Sequence, residues 1–383
     1  MSRVFKLFLS IDRFLLWLIA TVVLASLLPA RGAAAGWADL IADLAIALLF
    51  FLHGAKLSRA AIVQGIGNWR LHVLTLGSTY VLFPAIGIAL VWAARGWVDP
   101  LLLSGLLYLT LLPSTVQSSI AFTAMARGNV AAAVCSASLS NLLGIFLTPL
   151  LVGVFMHVAG SGALASSHSI GTIALQLLLP FLAGHLLRPM IGGFVDRNKA
   201  ILQPVDRGSI LLVVYSAFGA AVIGGIWTKV GVGDVLILVV LSAVILGLVM
   251  GVNVLVARMV GLSREDAIVL LFCGSKKSLA SGVPMAGALF PSAQVGVIVL
   301  PVMIFHQLQL FVCAALAGYF QRQSERDVAV AAPLPRTADA IAAAATARAI
   351  AVPDACMPGV TANLAVLEAQ LDTLRGADAK NAR

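Results

Sequence analysis

Apolar residues run along this chain in long unbroken stretches rather than in alternation. "LLWLIATVVLASLLPA" and "VLILVVLSAVILGLVM" are examples, and short turn-rich segments such as "ARGWVDP", "ARGN", "GLSRED" and "FPSAQ" separate them. An outer-membrane barrel needs ~10-residue segments of alternating character, whereas a spanning helix needs about 20 continuous apolar residues. The pattern therefore predicts helices near 14–30, 37–53, 71–94, 100–125, 129–158, 169–191, 208–227, 233–257, 264–290 and 293–320. Ten spans divide into two sets of five. An odd number per set makes the second set inverted relative to the first, an architecture common in secondary transporters. The expected fold is all-α and integral to a membrane. Two repeats, about 10–158 and 169–320, form a transporter domain over 1–320.

Composition supports the lipid environment. The 383 residues are 61% hydrophobic and only 11% charged, against roughly 25% charged in soluble domains. The net charge of +9 lies in short loops and the tail, which excludes a nucleic-acid face. Thirteen Lys and Arg fall in segments on the N-terminal side of the bilayer, including Arg3, Lys6, Lys56, Arg59, Arg188, Arg197 and Arg207. Only Arg31, Arg95 and Lys229 fall opposite. The positive-inside bias places both termini in the cytoplasm of a cell with this protein in its inner membrane. Residues 321–383 are Ala- and Pro-rich and read as a largely disordered cytoplasmic tail. Within it Leu364, Leu367, Leu371 and Leu374 mark a short amphipathic helix, a candidate for self-association. Cys135, Cys273, Cys313 and Cys356 include no CxxC pair and read as small apolar residues.

Two predicted spans are interrupted at matching places. The fourth, "LLLSGLLYLTLLPSTVQSSIAFTAMA", loses a backbone donor at Pro113 and continues with Ser114, Thr115, Gln117, Ser118 and Ser119. The ninth contains "FCGSKKSLASGVP", in which Gly274, Gly282 and Pro284 bracket Ser275, Lys276, Lys277 and Ser278. A lysine at a span centre costs ~2.5–3.5 kcal/mol on insertion scales. Adjacent residues on an intact helix point ~100° apart, so one ammonium of an unbroken helix would meet lipid. Unwinding near Gly274 lets both enter a polar cavity. Two blander accounts exist: a shifted span boundary, and a structural ion pair with Asp39 or Asp43.

At these residues the chain resembles the bile acid:sodium symporter superfamily. It looks closest to the divergent branch that includes the seventh member of solute carrier family 10 and many bacterial proteins. The likeness covers about residues 10–320 and rests on "FCGSKKSLASGVP", "LLPSTVQSSIAF", "ARGNVAAAVCSASLSNLLGIFLTPLL" and "LLFFLHGAKLS". It implies a panel domain and a core domain, crossed discontinuous helices four and nine, and alternating access with substrate between the domains. It also implies cation ligands at Ser118, Ser119, Asn141, Ser138 and Thr79. Span nine departs from the family's Glu-Val-Gly-Met-Gln-like motif: with Gly274 on its glycine, Phe272 falls at the acid and Lys276 at the Gln. Like charges at close range are costly in a low-dielectric site. A lysine ammonium is therefore expected to replace the bound cation, donating to Ser118, Ser119 and Asn141, while the other lysine faces an anionic organic solute.

No cofactor or metal is expected, and coupling to sodium, to protons or to neither stays open. No Walker A, HExxH or GxSxG motif appears, which excludes the commonest enzyme classes. His306, Gln307 and Gln309 in the tenth span read as helix–helix hydrogen-bonding groups or a proton path. The rival to a transporter comes from the same resemblance, since that branch includes members tied to cellular calcium handling: a non-transporting membrane regulator of ion (calcium) homeostasis.

Overall fold

The computed structural model describes residues 13–56, 68–158, 167–225, 230–331, 335, 337–347 and 350–381. Of the charges used above for orientation, Arg3, Lys6, Arg59 and Lys229 lie outside these residues. The chain divides into two compact units, Met1–Phe320 and Gln321–Arg383.

The first unit is helical. In chain order it holds α1 (Arg13–Leu27), α2 (Ala33–Lys56) and α3 (Trp69–Gly77), then a π turn (Ser78–Leu82). After the turn come α4 (Phe83–Ala93), α5 (Pro100–Leu111), α6 (Gln117–Met125) and α7 (Val130–Val158). Next come α8 (Ser167–Arg197), α9 (Lys199–Ile223) and α10 (Val232–Val260). The last are α11 (Arg264–Gly274), α12 (Leu279–Leu289) and α13 (Ser292–Ala331), whose residues from Gln321 on belong to the second unit. No strand occurs among the described residues. Seven helical stretches there are long and apolar enough to cross a membrane, and Leu16–Leu27 and Pro100–Leu111 are shorter apolar helices. Large apolar side chains face outward along these helices, among them Trp17, Leu44, Leu186, Met190 and Val240. That is the surface of a protein solvated by hydrocarbon.

Helix ends follow local chemistry. Asp99 caps α5, its carboxylate accepting from the amides of Leu101 and Leu102 at 2.8 and 3.4 Å, and Pro100 needs no partner at the first helical position. Ser263 caps α11 through the amide of Asp266, and Gly261 ends α10 with a φ of 69°, the left-handed conformation glycine adopts freely.

Three expectations change. The segment between the predicted sixth and seventh spans is not a loop: α8 runs through Arg197 and α9 starts at Lys199. Charged residues carry a helix out of the bilayer without ending it. Likewise α13 continues past the predicted end at 320, to Ala331. In the second unit, Ala338–Thr346 (α14) and Met357–Asn381 (α15) are helical. The helix expected around Leu364–Leu374 lies within α15; composition suggested little order in the rest, but alanine is the strongest helix former, and Thr337 caps α14 through the amide of Ala340.

Helices α1, α2, α8 and α9 pack against one another; α3, the π turn, α4–α7, α10 and α11 form a second group; and α12 lies between, touching α2, α8 and α9 as well as α7. The α2–α8 contact is backbone on backbone. A Cβ on Gly54 would overlap the carbonyl of Phe181, and one on Gly184 would overlap the carbonyl of Phe51. Without a hydrophobic drive between helices in lipid, such close approach supplies the van der Waals contact that holds them. Gly184→Val should therefore cost about 1–3 kcal/mol by prying α8 from α2. A clear fall in the thermal unfolding midpoint of the detergent-solubilised protein checks this, with Gly36→Val, where a Cβ meets nothing within 4 Å, as the neutral reference.

Candidate functional site

Helices α5–α6 and α11–α12 are two interrupted rods whose gaps meet. The first gap opens at Leu112, which leaves the helix with a ψ of 157°, and includes Pro113, whose ring nitrogen cannot donate to the carbonyl of Leu109. The second runs from Ser275 to Ser278. A direct hydrogen bond joins them, the Ser278 amide donating to the Pro113 carbonyl at 2.9 Å.

A broken helix leaves carbonyls without partners, and in a buried setting each must find a donor. At the end of α11 three serines provide them. Ser119 Oγ donates to the Phe272 carbonyl at 3.2 Å, Ser114 Oγ to that of Cys273 at 2.5 Å, and Ser78 Oγ to that of Gly274 at 2.9 Å. At the end of α5, Thr148 Oγ1 donates to the Leu111 carbonyl at 2.9 Å. The Ser114 amide, which would have closed the last turn onto Thr110, donates instead to Ser140 Oγ at 3.1 Å. That frees the carbonyl of Thr110, and Leu112, extended beyond the helix end, has no helical partner for its own.

Lys277 takes both. Its Nζ donates to the Thr110 carbonyl at 2.8 Å, to the Leu112 carbonyl at 2.7 Å and to the Thr79 carbonyl at 2.8 Å. The Thr79 carbonyl is free for a sequence reason. In the π turn the amide of Phe83 pairs with the Ser78 carbonyl, and the next residue, Pro84, has no amide to give. Three acceptors match the three N–H groups of an ammonium. The C-terminal end of α5 adds negative helix-end potential, and the Phe83 ring lies 4.1 Å from Nζ, within cation–π range. Gln309 fixes the peptide itself, its Oε1 accepting from the Lys277 amide at 2.8 Å and its Nε2 donating to the Lys277 carbonyl at 2.9 Å. Thr79 thus contributes its backbone; its hydroxyl donates back to the Thr75 carbonyl.

Lys276 points the other way. It too is fully buried, but its Nζ reaches one hydroxyl, Ser118 Oγ at 3.2 Å, and lies 4.2 Å from the Phe122 ring centre. Ser119 is engaged with Phe272 and Thr115, and Asn141 Oδ1 accepts from Ser281 Oγ at 2.8 Å. The expected cluster of Ser118, Ser119 and Asn141 around one ammonium therefore reduces to Ser118. Ser275 accepts from Asn253 Nδ2 at 2.9 Å, and Ser278 Oγ caps α12 through the Ser281 amide. Asp39 is engaged by Ser216, and the lysines' contacts among the described residues are carbonyls, one hydroxyl and aromatic faces. The ion-pair account fails on that geometry.

Gly282 and Pro284, expected at the break, lie inside α12. Gly282 serves close packing: a Cβ there would come within 2.5 Å of Leu112 Cδ1, and its carbonyl accepts from Tyr108 at 2.7 Å. Gly274 has the same role against Asn253 and Ser78. Pro113 alone of the four acts by removing a donor within a gap.

A cavity of about 400 Å³ opens beside the crossing. Thr115, Gln117, Ser118, Ser138, Asn141, Ser278 and Ser281 line one side, from the two gaps, α6, α7 and α12. His53, Lys56, Gln203, Asp206 and Arg207 line the other, from α2 and α9, with Leu49, Phe181 and Ile210. The N-terminal ends of both α6 and α12 reach this wall, and Val116 offers α6 no side-chain cap. Uncapped helix N-termini favour anions. No local pattern points to the Lys56–Asp206 ion pair, because its partners are 150 residues apart on helices whose charges look like loop charges. Ser78, Ser140 and Thr148 escaped notice because a lone hydroxyl in an apolar run carries no local signal; Asn253, an amide in such a run, makes the helix–helix hydrogen bond its type suggests. Gln309 does bridge helices, as its type in that setting suggests.

Crossed discontinuous helices beside a polar cavity define a membrane transporter, and comparison with known proteins agrees. Residues 12–322 match the SBF-like CPA transporter family, and the chain belongs to it. It is 57% identical over 321 residues to "Putative symporter YfeH" of Escherichia coli, covering 84% of this chain and 96% of that one. It is 54% identical over 324 residues to "Uncharacterized protein PA2026" of Pseudomonas aeruginosa, covering 85% and 97%. Sodium/bile acid cotransporter 7 of Danio rerio is 26% identical over 314 residues, 79% of this chain and 91% of that one. The protein is thus a multi-pass membrane transporter of the divergent bile acid:sodium symporter branch, not an enzyme.

The two lysines should differ sharply in structural weight. Lys277→Met orphans three buried carbonyls at roughly 1–3 kcal/mol each, offset in part by the ammonium no longer being desolvated, so a net loss of about 3 kcal/mol or more is expected. Lys276→Met gives up one long hydrogen bond and should cost much less. Thermal unfolding of both variants in detergent measures the contrast, and equal losses would contradict it.

Proposed function

We propose that this protein is a secondary transporter of the inner membrane that moves a small organic anion by alternating access. Ten membrane-crossing segments form two inverted five-segment repeats with both termini in the cytoplasm. The interrupted rods α5–α6 and α11–α12 are the fourth segment of each repeat. Helices α1, α2, α8 and α9 make the panel, and the remaining helices of the first unit make the core. The observation that carries this reading is the cavity between the two groups, floored by the crossed gaps and met by two half-helix N-termini. In transporters built from inverted repeats, such N-termini face anionic substrate groups and half-helix carbonyl ends hold the coupling cation.

Here the carbonyl end of α5 is occupied by a covalently tethered cation. Lys277 places a positive charge among three backbone oxygens at 2.7–2.8 Å, which is the environment a bound sodium would otherwise need. It takes the role the sequence suggested for Lys276, and its ligands are backbone rather than side-chain oxygens. A resident ammonium makes a second cation at that point costly, so transport does not use sodium there. The names of the similar proteins, a symporter and a sodium/bile acid cotransporter, support a small organic solute as cargo.

Flux tests the function. Purified protein in proteoliposomes should take up labelled cholate or a short-chain aromatic carboxylate in a saturable way; empty-liposome rates for every anion offered would favour a non-transporting regulator instead. Sodium tests the tethered cation separately. The unmodified protein should unfold at the same temperature in sodium and choline chloride, while Lys277→Gln should gain several degrees in sodium through binding to the folded state. A sodium-dependent midpoint in the unmodified protein would remove the idea.

A further inference from the structure

The panel wall of the cavity carries a charge arrangement that the crossed helices do not explain. Lys56, at the end of α2, pairs with Asp206 on α9. Only one carboxylate oxygen is used: Asp206 Oδ1 is buried and receives no hydrogen bond. One helical step on, Arg207 also lines the cavity, exposed, with its guanidinium 5.7 Å from the centre of the Phe14 ring. No carboxylate among the described residues pairs with it. Two cations and one anion leave this wall with one surplus positive charge. A half-satisfied ion pair at a cavity surface is a poor structural device, since desolvation outweighs the attraction unless all remaining hydrogen-bonding positions are filled. It suits exchange.

We infer that Lys56 and Arg207 form the subsite for the acid group of the transported solute, and that this group displaces Asp206 from Lys56 on binding. The inference rests on the transport reading above and supplies its substrate class: an amphipathic monoanion, a carboxylate or sulfonate, whose apolar body lies along Leu49, Phe181 and Ile210. Arg207 offers a planar fork for two acid oxygens. Lys56 changes partner rather than being stripped of one, so the exchange leaves no bare lysine in the cavity. The single surplus charge selects monoanions, because a dianion would put net negative charge beside Asp206. Panel and core each then hold one part of the ligand: Lys56 and Arg207 its acid group, and the hydroxyl and amide groups of Ser138, Asn141 and Ser278 its polar substituents.

Equilibrium binding of two probes, cholate and 1-octanesulfonate, to the purified full chain tests the subsite without relying on flux. The unmodified protein should bind at least one of them. Arg207→Gln should weaken that binding about tenfold, the loss of one charge-assisted contact. Lys56→Gln leaves the half-buried Asp206 without its partner and is a hazard to folding, so Lys56→Gln combined with Asp206→Asn is the informative variant; it should unfold near the parental temperature and bind about tenfold more weakly. Asp206→Asn alone removes the competitor and raises the surplus charge, so it should tighten monoanion binding and admit naphthalene-1,5-disulfonate. Binding that Arg207→Gln leaves unchanged overturns the subsite, as does no binding of either probe or an Asp206→Asn variant that still rejects the disulfonate. Saturable flux with unaltered affinity in Arg207→Gln would sink the subsite and keep the transporter. Arg207-dependent binding without flux would do the reverse.

Discussion

One ammonium group organises the centre of this molecule. Lys277 sits where the π turn, α5 and α11 converge, and it donates to carbonyls of the π turn and of the end of α5 while its own peptide is held by α13 through Gln309. Two interrupted helices in a low-dielectric interior would otherwise leave backbone oxygens bare, at a cost no apolar packing recovers. A sheet or a water-filled channel could have met that need. This chain meets it with a side chain from one gap that reaches the carbonyls of the other, so the two breaks stabilise each other. The charge is tolerable because every acceptor around it would be unsatisfied without it.

The same accounting explains why the two gaps are built from different residues. The end of α11 meets Ser78, Ser114 and Ser119, neutral donors of modest strength. The end of α5 meets a full positive charge. Between them Ser278 donates its amide to Pro113. The result is asymmetric: negative helix-end potential is neutralised by Lys277, which does not line the cavity, whereas α6, with no side-chain cap at Val116, turns its positive end to the cavity. A site that favours anions follows from which helix ends are neutralised and which are left open.

The close approaches around the crossing show how tightly this is specified. Gly282 leaves room for Leu112, Gly144 for Pro113 and Tyr80, and Gly105 for the backbone of Ile298. These glycines have ordinary backbone angles, so what they supply is the missing side chain. Moving any of these helices by the width of a methyl group would lengthen the Lys277 contacts, since the three carbonyls belong to segments positioned by such contacts.

Sequence alone determined that the chain is helical and lipid-embedded, because long charge-poor runs admit no other arrangement. It also determined that two segments break and that the lysines lie in one of the breaks, because two adjacent ammoniums cannot ride an intact helix in hydrocarbon. It could not assign the lysines their partners. Carbonyls are identical at every position, and only the tertiary fold decides which lack an amide: Thr79 because a π turn precedes Pro84, Thr110 because Ser140 captures the amide of Ser114. Nor could it tell a packing glycine from a helix-breaking one at Gly282. The pairing of Lys56 with Asp206 came from the packing of α2 on α9 alone, since charges at the ends of apolar runs look alike until the helices that carry them are brought side by side.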